Sequence, residues 1–484
     1  MITLHSCSRL VKSRRLRRIA LPLAILIALF LPNLSAVLIL DLGRVFASVR
    51  GLLHHPKPAQ MMGEEHIVHI PYFTESAGMT SILTLNNNMT EIATAAVTLF
   101  NERGEPLTLP AIELAPQLPA RFDLGQLANR PDFRSGNVQV SFNGMSMGIT
   151  SQVSVISTAR RLAFESVEDE AMDFSSSRLD GILWLPNAET HARIALTNTT
   201  AAPLSITAVA HTGEQNQQKS IAVGPHETQL VEAREFLGSS HTRSSATILT
   251  LEHNGSPGAL MVTGFAINEG SGFSCNFPFI DRSTDRSTAV SAKLAGAHVR
   301  MGLPNPTEGF PSGTRFSAPL ILANVGDQET LATIWLDYTT NSVPHRVQAG
   351  LATIAPGQTR EFELSQALSA RGIQAPLDDA GVDVTYAGPP GTLIGRLVTF
   401  DQTGDFAFDV PIKDPLAGMM RVGGSYPWRL DNGFTTVVHL KNTLNNPVHA
   451  LVQVRYDGGT YNLERIPLAP FQTIALDIRA LRDA

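Results

Sequence analysis

Leu320-Ile321-Leu322-Ala323-Asn324 is a short apolar run that ends in asparagine. Three more runs of this kind in the 484-residue chain end at Asn87, Asn198 and Asn442. Successive copies are 111 to 126 residues apart, and each is followed by a short polar stretch and a second apolar run. Self-similarity at a nearly fixed spacing is the signature of a repeat architecture, so the pattern predicts four copies of one domain.

Two further positions recur at matching places in every copy. A proline follows each asparagine after 27 to 32 residues, and seven residues later an acid stands between apolar neighbours. The prolines are Pro116, Pro225, Pro356 and Pro470, and the acids are Asp123, Glu232, Glu363 and Asp477. The first three copies also carry Gln or Glu three positions after the acid, which is typical of a capping box. We therefore expect each acid to cap a short helical turn; the fourth copy departs, with Ala480 at that position.

The apolar residues within each copy alternate as they do in β-strands. Val138–Phe142 and Val382–Tyr386 alternate with period two, and turn pairs such as Asn143-Gly144 and Asn254-Gly255 follow their strands. About seven short strands per copy predict an all-β fold of tandem antiparallel β-sandwiches of immunoglobulin-like type. The expected β-sandwich repeats 1, 2 and 3 are residues 66–169, 179–284 and 294–415, and the partial repeat 4 is residues 423–484.

Repeat 4 stops just after its acid position, so it holds only the first half of a sandwich. Half a sandwich leaves an open sheet edge and an uncovered apolar face. Two interpretations remain: the sequence is a fragment of a longer protein, or a partner chain completes repeat 4.

The amino terminus predicts export. A basic n-region (1–18) precedes an uncharged run at 19–40, and a linker (41–65) follows. This run is long enough to cross a bilayer as one N-terminal hydrophobic helix, and the preceding positive charge predicts that the n-region stays in the cytoplasm. An uncleaved signal anchor, which would hold the protein in the membrane, and a cleaved signal peptide both fit the run. Either one delivers the remaining chain to an extracytoplasmic location.

Composition and motifs exclude several classes of protein. The net charge of −6 gives no reason to expect nucleic-acid binding. Only two cysteines occur, and Cys7 precedes the apolar run, so Cys275 has no partner for a disulfide within the exported part. No nucleophile elbow, phosphate-binding loop or dinucleotide fingerprint is present, so we expect neither an enzyme nor a cofactor.

Two groups of residues resemble metal sites. His54, His55, Glu64, Glu65, His66 and His69 are close in sequence, but they lead into the first strand, where positions 66 and 69 point to opposite faces. Asp401, Asp405 and Asp409 lie in a loop of the kind that binds calcium at a sandwich tip, without the regular spacing of an EF-hand. We expect a solvated linker in the first case and a charged hairpin in the second, with calcium as the open alternative. Trp335 lies within a strand and is expected in a core.

The stretch from Leu322 to Thr359 resembles a known family. Its order is a strand, the turn Asn324-Val325-Gly326, a second strand, and a strand entry at Pro356-Gly357-Gln358-Thr359. This order is similar to that of the bacterial cell-adhesion-related immunoglobulin-like domain, found as tandem repeats in exported bacterial proteins. The resemblance covers most of repeat 3 and, more loosely, the other copies. It implies an extracytoplasmic spacer or adhesive array, a group mostly without assigned chemistry.

These observations favour a non-enzymatic, exported or membrane-anchored bacterial surface protein that acts as a structural spacer or an adhesion module, with a protein or cell-surface partner. The alternative is an array of ligand- or carbohydrate-binding modules from a longer protein. A carbohydrate-binding array should present convergent exposed aromatic side chains at one tip, whereas a spacer should not.

Overall fold

The computed structural model describes residues 64–483, apart from residues 77, 158, 161, 168, 171–175, 188, 212–215, 238–245, 282–291, 305–309, 311, 341–342, 374–376, 403–406, 416–427, 429, 431–434 and 457–458. The chain divides into two compact units, Met1–Met62 and Gly63–Ala484, and every described residue belongs to the second. The apolar run at 19–40, His54 and His55 therefore lie outside the described residues. No helix among the described residues is long and apolar enough to cross a membrane.

Repeat 1 consists of two antiparallel sheets that face each other across one core. Its elements are β1 (Glu64–Thr74), β2 (Thr80–Asn87), β3 (Ala93–Asn101), β4 (Pro106–Thr108), β5 (Ile112–Leu114), β6 (Pro119–Asp123), α1 (Leu124–Ala128), β7 (Ser135–Gly144), β8 (Ile149–Ser157), β9 (Leu162–Val167) and β10 (Asp169–Glu170). One sheet has the order β10-β1-β7-β3-β4, with β5 also paired to β3, and the other is β6-β2-β8-β9. Val68 and Val97 from the first sheet share a core with Leu83 and Val153 from the second.

Repeat 2 follows the same plan. Its elements are β11 (Arg178–Leu183), β12 (His191–Asn198), β13 (Leu204–His211), β14 (Asn216–Val223), β15 (Thr228–Glu232), α2 (Arg234–Leu237), β16 (Thr247–His253), β17 (Leu260–Asn268), β18 (Phe273–Phe277) and β19 (Phe279–Asp281). The sheets are β14-β13-β16-β11-β19 and β15-β12-β17-β18. Ile206 and Leu249 meet Ile194 and Leu196 in the core, because alternate residues of each strand point inward.

Repeat 3 is built in the same way. Its elements are β20 (Lys293–Val299), β21 (Phe316–Ser317), β22 (Pro319–Asn324), β23 (Thr330–Thr340), β24 (Val343–Ile354), β25 (Thr359–Glu363), α3 (Leu364–Ser369), β26 (Asp378–Ala387), β27 (Leu393–Asp401) and β28 (Ala407–Ile412). One sheet is β20-β26-β23-β24; the other is β21-β27-β22-β25, with β28 also paired to β27. Ile334 and Leu336 face Leu320 and Leu322 across the core.

Repeat 4 is described only in its later part. Its elements are β29 (Val437–Lys441), β30 (Val448–Ala450), β31 (Gln453–Tyr456), β32 (Gly459–Asn462), β33 (Ile466–Leu468), β34 (Thr473–Asp477) and α4 (Ile478–Asp483). They form three two-stranded sheets, β29-β34, β30-β33 and β31-β32. Val454, Leu468 and Ile478 are its buried apolar residues, and several large apolar side chains stay exposed, among them Leu451 at 71%.

The described chain is therefore all-β, as predicted, with antiparallel pairing throughout the named strands. The more specific immunoglobulin-like assignment stays a prediction. The expectation for Trp335 is wrong: the side chain is half-buried and carries the Arg346 guanidinium 5.1 Å from its ring. Ile334 and Leu336 occupy the core on either side of it in β23, so the period of two directs residue 335 to the outer face.

Candidate functional site: the asparagine turns and the joints between repeats

The four repeated asparagines occupy one structural role. Each ends a strand that we call the asparagine strand (β2, β12, β22 and β29), and each side chain is at most 3% exposed. The Nδ2 atom donates to the backbone carbonyl four residues later, at 2.7–2.8 Å in every copy. It also donates to a second carbonyl near the repeated proline. In three copies this carbonyl belongs to the residue directly before the proline. In repeat 3 it belongs to Ile354, two residues before Pro356, at 2.8 Å. The Oδ1 atom accepts the amide two residues later.

Each of the four prolines lies in a tight turn, and the turn has the same type in every copy. The amide two residues after each proline donates to the carbonyl of the residue before it, at 3.1–3.4 Å. The residue after the proline has a positive φ in all four copies: 58° at Gln117, 54° at His226, 72° at Gly357 and 60° at Phe471. Proline followed by a positive φ defines a type II turn, which favours glycine at that position. Three of the four copies therefore hold a non-glycine residue in a left-handed conformation.

The four acids do not share one role. Asp123 caps α1, since its Oδ1 accepts the Gln126 amide at 3.0 Å. Asp477 accepts the Arg479 amide at 2.8 Å and the Thr435 hydroxyl at 2.7 Å. Burial alone would raise the pKa of Asp477, but these hydrogen bonds outweigh it and hold the pKa below its usual value.

The two glutamates depart from the expected cap. Glu363 stands at the N-cap of α3 without a capping hydrogen bond, and the Ser317 hydroxyl donates to it at 3.4 Å. Glu232 instead accepts from Arg193 Nε at 2.7 Å. A glutamate carries one methylene more than an aspartate, so its carboxylate extends past the first free amides of the helix.

Three of the described side chains in the two metal-like groups, those of His66, Asp401 and Asp409, are engaged by protein groups. His66 stacks on Phe142, at 5.5 Å between ring centroids. Asp401 accepts the Arg315 amide at 2.9 Å, and Asp409 accepts from Arg396 Nε at 2.9 Å. Asp405 lies outside the described residues. No group of three or more His, Cys, Asp or Glu side chains that could hold a metal occurs in the part of the chain that the structure describes.

Consecutive repeats contact each other at three surfaces that we call joints 1–2, 2–3 and 3–4. At joint 1–2, the Thr197 hydroxyl donates to the Pro71 carbonyl of β1 at 2.6 Å. Asn137 donates to Thr228 Oγ1 at 3.0 Å, and Phe164 of repeat 1 stacks on Phe265 of repeat 2 with 4.0 Å between centroids. The joint is thus both polar and aromatic, and it is buried.

Joint 2–3 combines an apolar cluster with a buried cation. Ile182 and Trp184 of repeat 2 pack against Ile321 and Val398 of repeat 3. Arg396, 1% exposed, donates to the carbonyls of Ile182, Trp184 and Asn276 in repeat 2 while it pairs with Asp409. Burial raises the pKa of Asp409 to about 6, although Arg396 opposes the shift. Asp409 therefore belongs to a joint rather than to a calcium loop.

Joint 3–4 contains a buried cluster of charges. Lys441 of β29 binds Asp337 of β23 at 2.7 Å and lies 3.8 Å from Asp383 of β26. Arg346 contacts both aspartates at 3.0 Å. Lys293 donates to the Thr443 carbonyl at 2.8 Å, so cations of both repeats meet at this surface. Burial raises the pKa of Asp337 to about 6, against the effect of Lys441.

The three joints use the same strands. In each one the first strand of a repeat (β1, β11 or β20) lies by the asparagine strand of the next repeat, through Thr197, Ile321 and His439. Alternate residues of the asparagine strand make this possible, because Leu320 and Leu322 face their own core while Ile321 and Ala323 face the preceding repeat.

Sequence reasoning missed these joint residues, although one signal was present. A threonine stands three positions after the repeated proline in the three copies that have a preceding repeat, at Thr228, Thr359 and Thr473. Repeat 1 has Pro119 there. Thr228 is bonded by Asn137, and Thr359 donates to the Ala246 carbonyl of repeat 2 at 2.9 Å. Thr473 is 1% exposed and lies against Gly381 of repeat 3.

No protein-family model matches this chain, and no curated protein is significantly similar to it.

Proposed function

We propose that this chain is a non-enzymatic, exported or membrane-anchored surface protein whose tandem immunoglobulin-like repeats serve as a structural spacer or adhesion module. The observation that carries the proposal is the joint that recurs between successive repeats through the same pair of strands. Domains stacked through buried faces restrict their relative motion, as in other quasi-one-dimensional repeat proteins. The basic n-region and the apolar run at 19–40 support export.

A pulling experiment on the full chain tests the spacer. Force applied between the two ends should unfold repeats 1 to 3 in separate steps, because each has its own core. A repeat of roughly 110 residues lengthens the chain by about 400 Å when it is extended at ~3.6 Å per residue. Three steps near this length support the proposal, whereas a single step that releases the whole described chain contradicts it.

A fractionation experiment tests export separately. The full chain, expressed in a bacterial host, should appear outside the cytoplasm, and a variant that lacks residues 19–40 should stay inside. Equal cytoplasmic retention of both proteins would contradict export and would leave the mechanical result unaffected.

One observation favours the second candidate, a carbohydrate-binding module. Tyr456 and Tyr461 are 46% and 50% exposed and lie on the same face of the β31–β32 hairpin, since Val454 is opposite Tyr461. Trp428 lies beside them and donates from Nε1 to the Arg455 carbonyl at 2.9 Å. Exposed aromatic faces are the surfaces on which sugar rings stack. Binding of the full chain to a set of immobilised oligosaccharides tests this function. The double variant Tyr456→Ala with Tyr461→Ala should lose the binding. The control Gln453→Ala changes an exposed, non-aromatic residue of the same hairpin and should keep it.

A further inference from the structure

Two histidines stack on each other across joint 3–4. His298 of β20 and His439 of β29 have ring centroids 3.7 Å apart and an interplanar angle of 28°. Phe408 of β28 extends the stack on the side of His298, at 5.3 Å. The Nδ1 atoms of both imidazoles are buried and have no hydrogen-bond partner among the described residues. The contact is thus made by ring faces alone, and it joins one repeat to the next.

This environment favours neutral rings. Burial first, then His439 and Arg300, lower the pKa of His298 to about 3. Burial and Arg300 lower the pKa of His439 to about 4. A proton on either ring would place a cation beside the fixed charge of Arg300 with no hydrogen-bond acceptor at Nδ1, and a proton on both would place two cations at stacking distance.

Among the described residues, the other charges that face joint 3–4 do not offset such a proton. Lys293, Arg346 and Lys441 supply three positive charges, and Asp337 and Asp383 supply two negative charges that are already bound to them. Asp409 lies next to Phe408 on β28, but it is paired with Arg396 at joint 2–3. The joint therefore carries an excess of positive charge before either histidine is protonated.

We propose that the His298–His439 stack is a pH-sensitive latch, which holds repeat 4 on repeat 3 at neutral pH and releases it as the solution becomes acidic. The inference goes beyond the spacer function, since it depends only on the contact between the two repeats.

The sign of the effect follows from proton uptake. Once the joint is open, each histidine is hydrated and binds a proton below pH ~6.5, whereas in the closed joint it does not do so until about pH 3–4. Opening therefore takes up two protons in this window. Asp337 acts in the opposite direction, because its pKa of about 6 in the closed joint returns toward ~3.8 on opening and one proton is released. The net uptake of one proton should raise the opening equilibrium constant about tenfold per pH unit between pH 6 and 4.

Hydrogen exchange of the full chain at pH 7 to 4.5, corrected for the intrinsic pH dependence of exchange, measures this equilibrium. The amides of β29 and β34 should lose protection by about tenfold per pH unit below pH 6. The amides of β22, in the centre of repeat 3, should keep theirs. Unchanged protection of β29 across this range overturns the proposal.

The variant that tests the latch is His298→Phe with His439→Phe, which keeps ring stacking and removes both protons. Of the described groups discussed at joint 3–4, Asp337 is then the one that still exchanges a proton on opening, so protection of β29 should hold steady or increase as the pH falls. The matched control is His449→Phe, because His449 is exposed on β30 and should leave the wild-type slope unchanged. If joint 3–4 of the double variant is already open at pH 7, the single variant His439→Phe is measured instead. The protection of its β29 amides should then change little with pH. A wild-type slope in either latch variant overturns the proposal.

Discussion

At the scale of single residues, the repeated asparagine does more than mark the end of a strand. Asn324 is fully buried, and its side chain bonds to Gln328, Ile354 and Gly326 within 2.9 Å. One amide thereby joins the end of β22, the following loop and the end of β24. Asparagine suits this position because it carries two donors and an acceptor in one short side chain.

Asn324→Ala should therefore destabilise repeat 3 strongly. The change removes three hydrogen bonds made by a fully buried side chain, which should cost about 2–4 kcal/mol at about 1 kcal/mol per bond. Urea unfolding of the full chain should show the loss as a lower midpoint of the transition in which repeat 3 unfolds. Asn462→Ala is the control, since Asn462 is exposed on β32 and its loss should shift stability by less than about 0.5 kcal/mol. Equal effects of the two changes would contradict this role.

Gln117 is a place where a substitution should stabilise the protein. Its φ of 58° belongs to the left-handed region, where a side chain costs about 1 kcal/mol relative to glycine. We expect Gln117→Gly to raise the free energy of unfolding of repeat 1 by about this amount, as measured by calorimetry. Gln117→Ala keeps a Cβ and should give no gain, and a gain from alanine would show that the backbone is not the cause.

At the scale of elements, whether a residue type recurs between the copies depends on which face of the strand the position occupies. The asparagine strand buries one set of alternate residues in its own core and the other set in a joint. The sequence pattern predicted the first set, because alternation between apolar and polar residues is visible along a strand. The second set differs in every copy (Thr197, Ile321 and Lys441), so no shared residue type revealed it.

Substitution of Arg396 tests how joint 2–3 is held together. Arg396→Met removes three hydrogen bonds to backbone carbonyls of repeat 2 and one to Cys275 Sγ, and it leaves Asp409 buried without its cation. The loss should cost about 3–5 kcal/mol in urea unfolding. Adding Asp409→Leu removes the unpaired carboxylate, so the double variant should recover part of the loss. A double variant that is less stable than Arg396→Met would contradict the ion pair as the source of the effect.

At the scale of the whole described unit, the repeats are coupled by their joints. Stability in stacked repeats is the sum of intrinsic terms and nearest-neighbour interface terms. The apolar cluster at joint 2–3 is an interface term, whereas the core of repeat 3 is an intrinsic one. Substitutions at neighbouring residues of β22 can change one of these terms without the other, since neighbouring side chains of a strand point to opposite faces.

Ile321→Ala and Leu322→Ala form a matched pair on this strand. Both residues are fully buried, so each change should cost about 2–4 kcal/mol. Ile321→Ala weakens joint 2–3 and should separate the calorimetric transition of repeat 3 from that of repeat 2. Leu322→Ala weakens the core with the joint intact, so the repeats should still unfold together at a lower temperature. The same transition shape in both variants would contradict coupling through this joint.

Trp335 shows what a local sequence pattern predicts and what it does not. Its place in a strand was visible in the sequence, but its face was not: the core positions in β23 are Ile334 and Leu336, and the indole instead lies under Arg346 on the outer side. An aromatic residue fits either face of a sheet, so composition alone did not decide between them.

The all-β class of the described chain and the recurrence of its strands were predictable from the sequence, because alternation and turn residues are local properties of the chain. The way in which the repeats meet is visible only in the folded structure. Arg396 with Asn276, Lys441 with Asp337 and His298 with His439 come together across 104 to 141 residues of sequence. Their contact arises from the stacking of folded sheets, and no local preference of the chain encodes it.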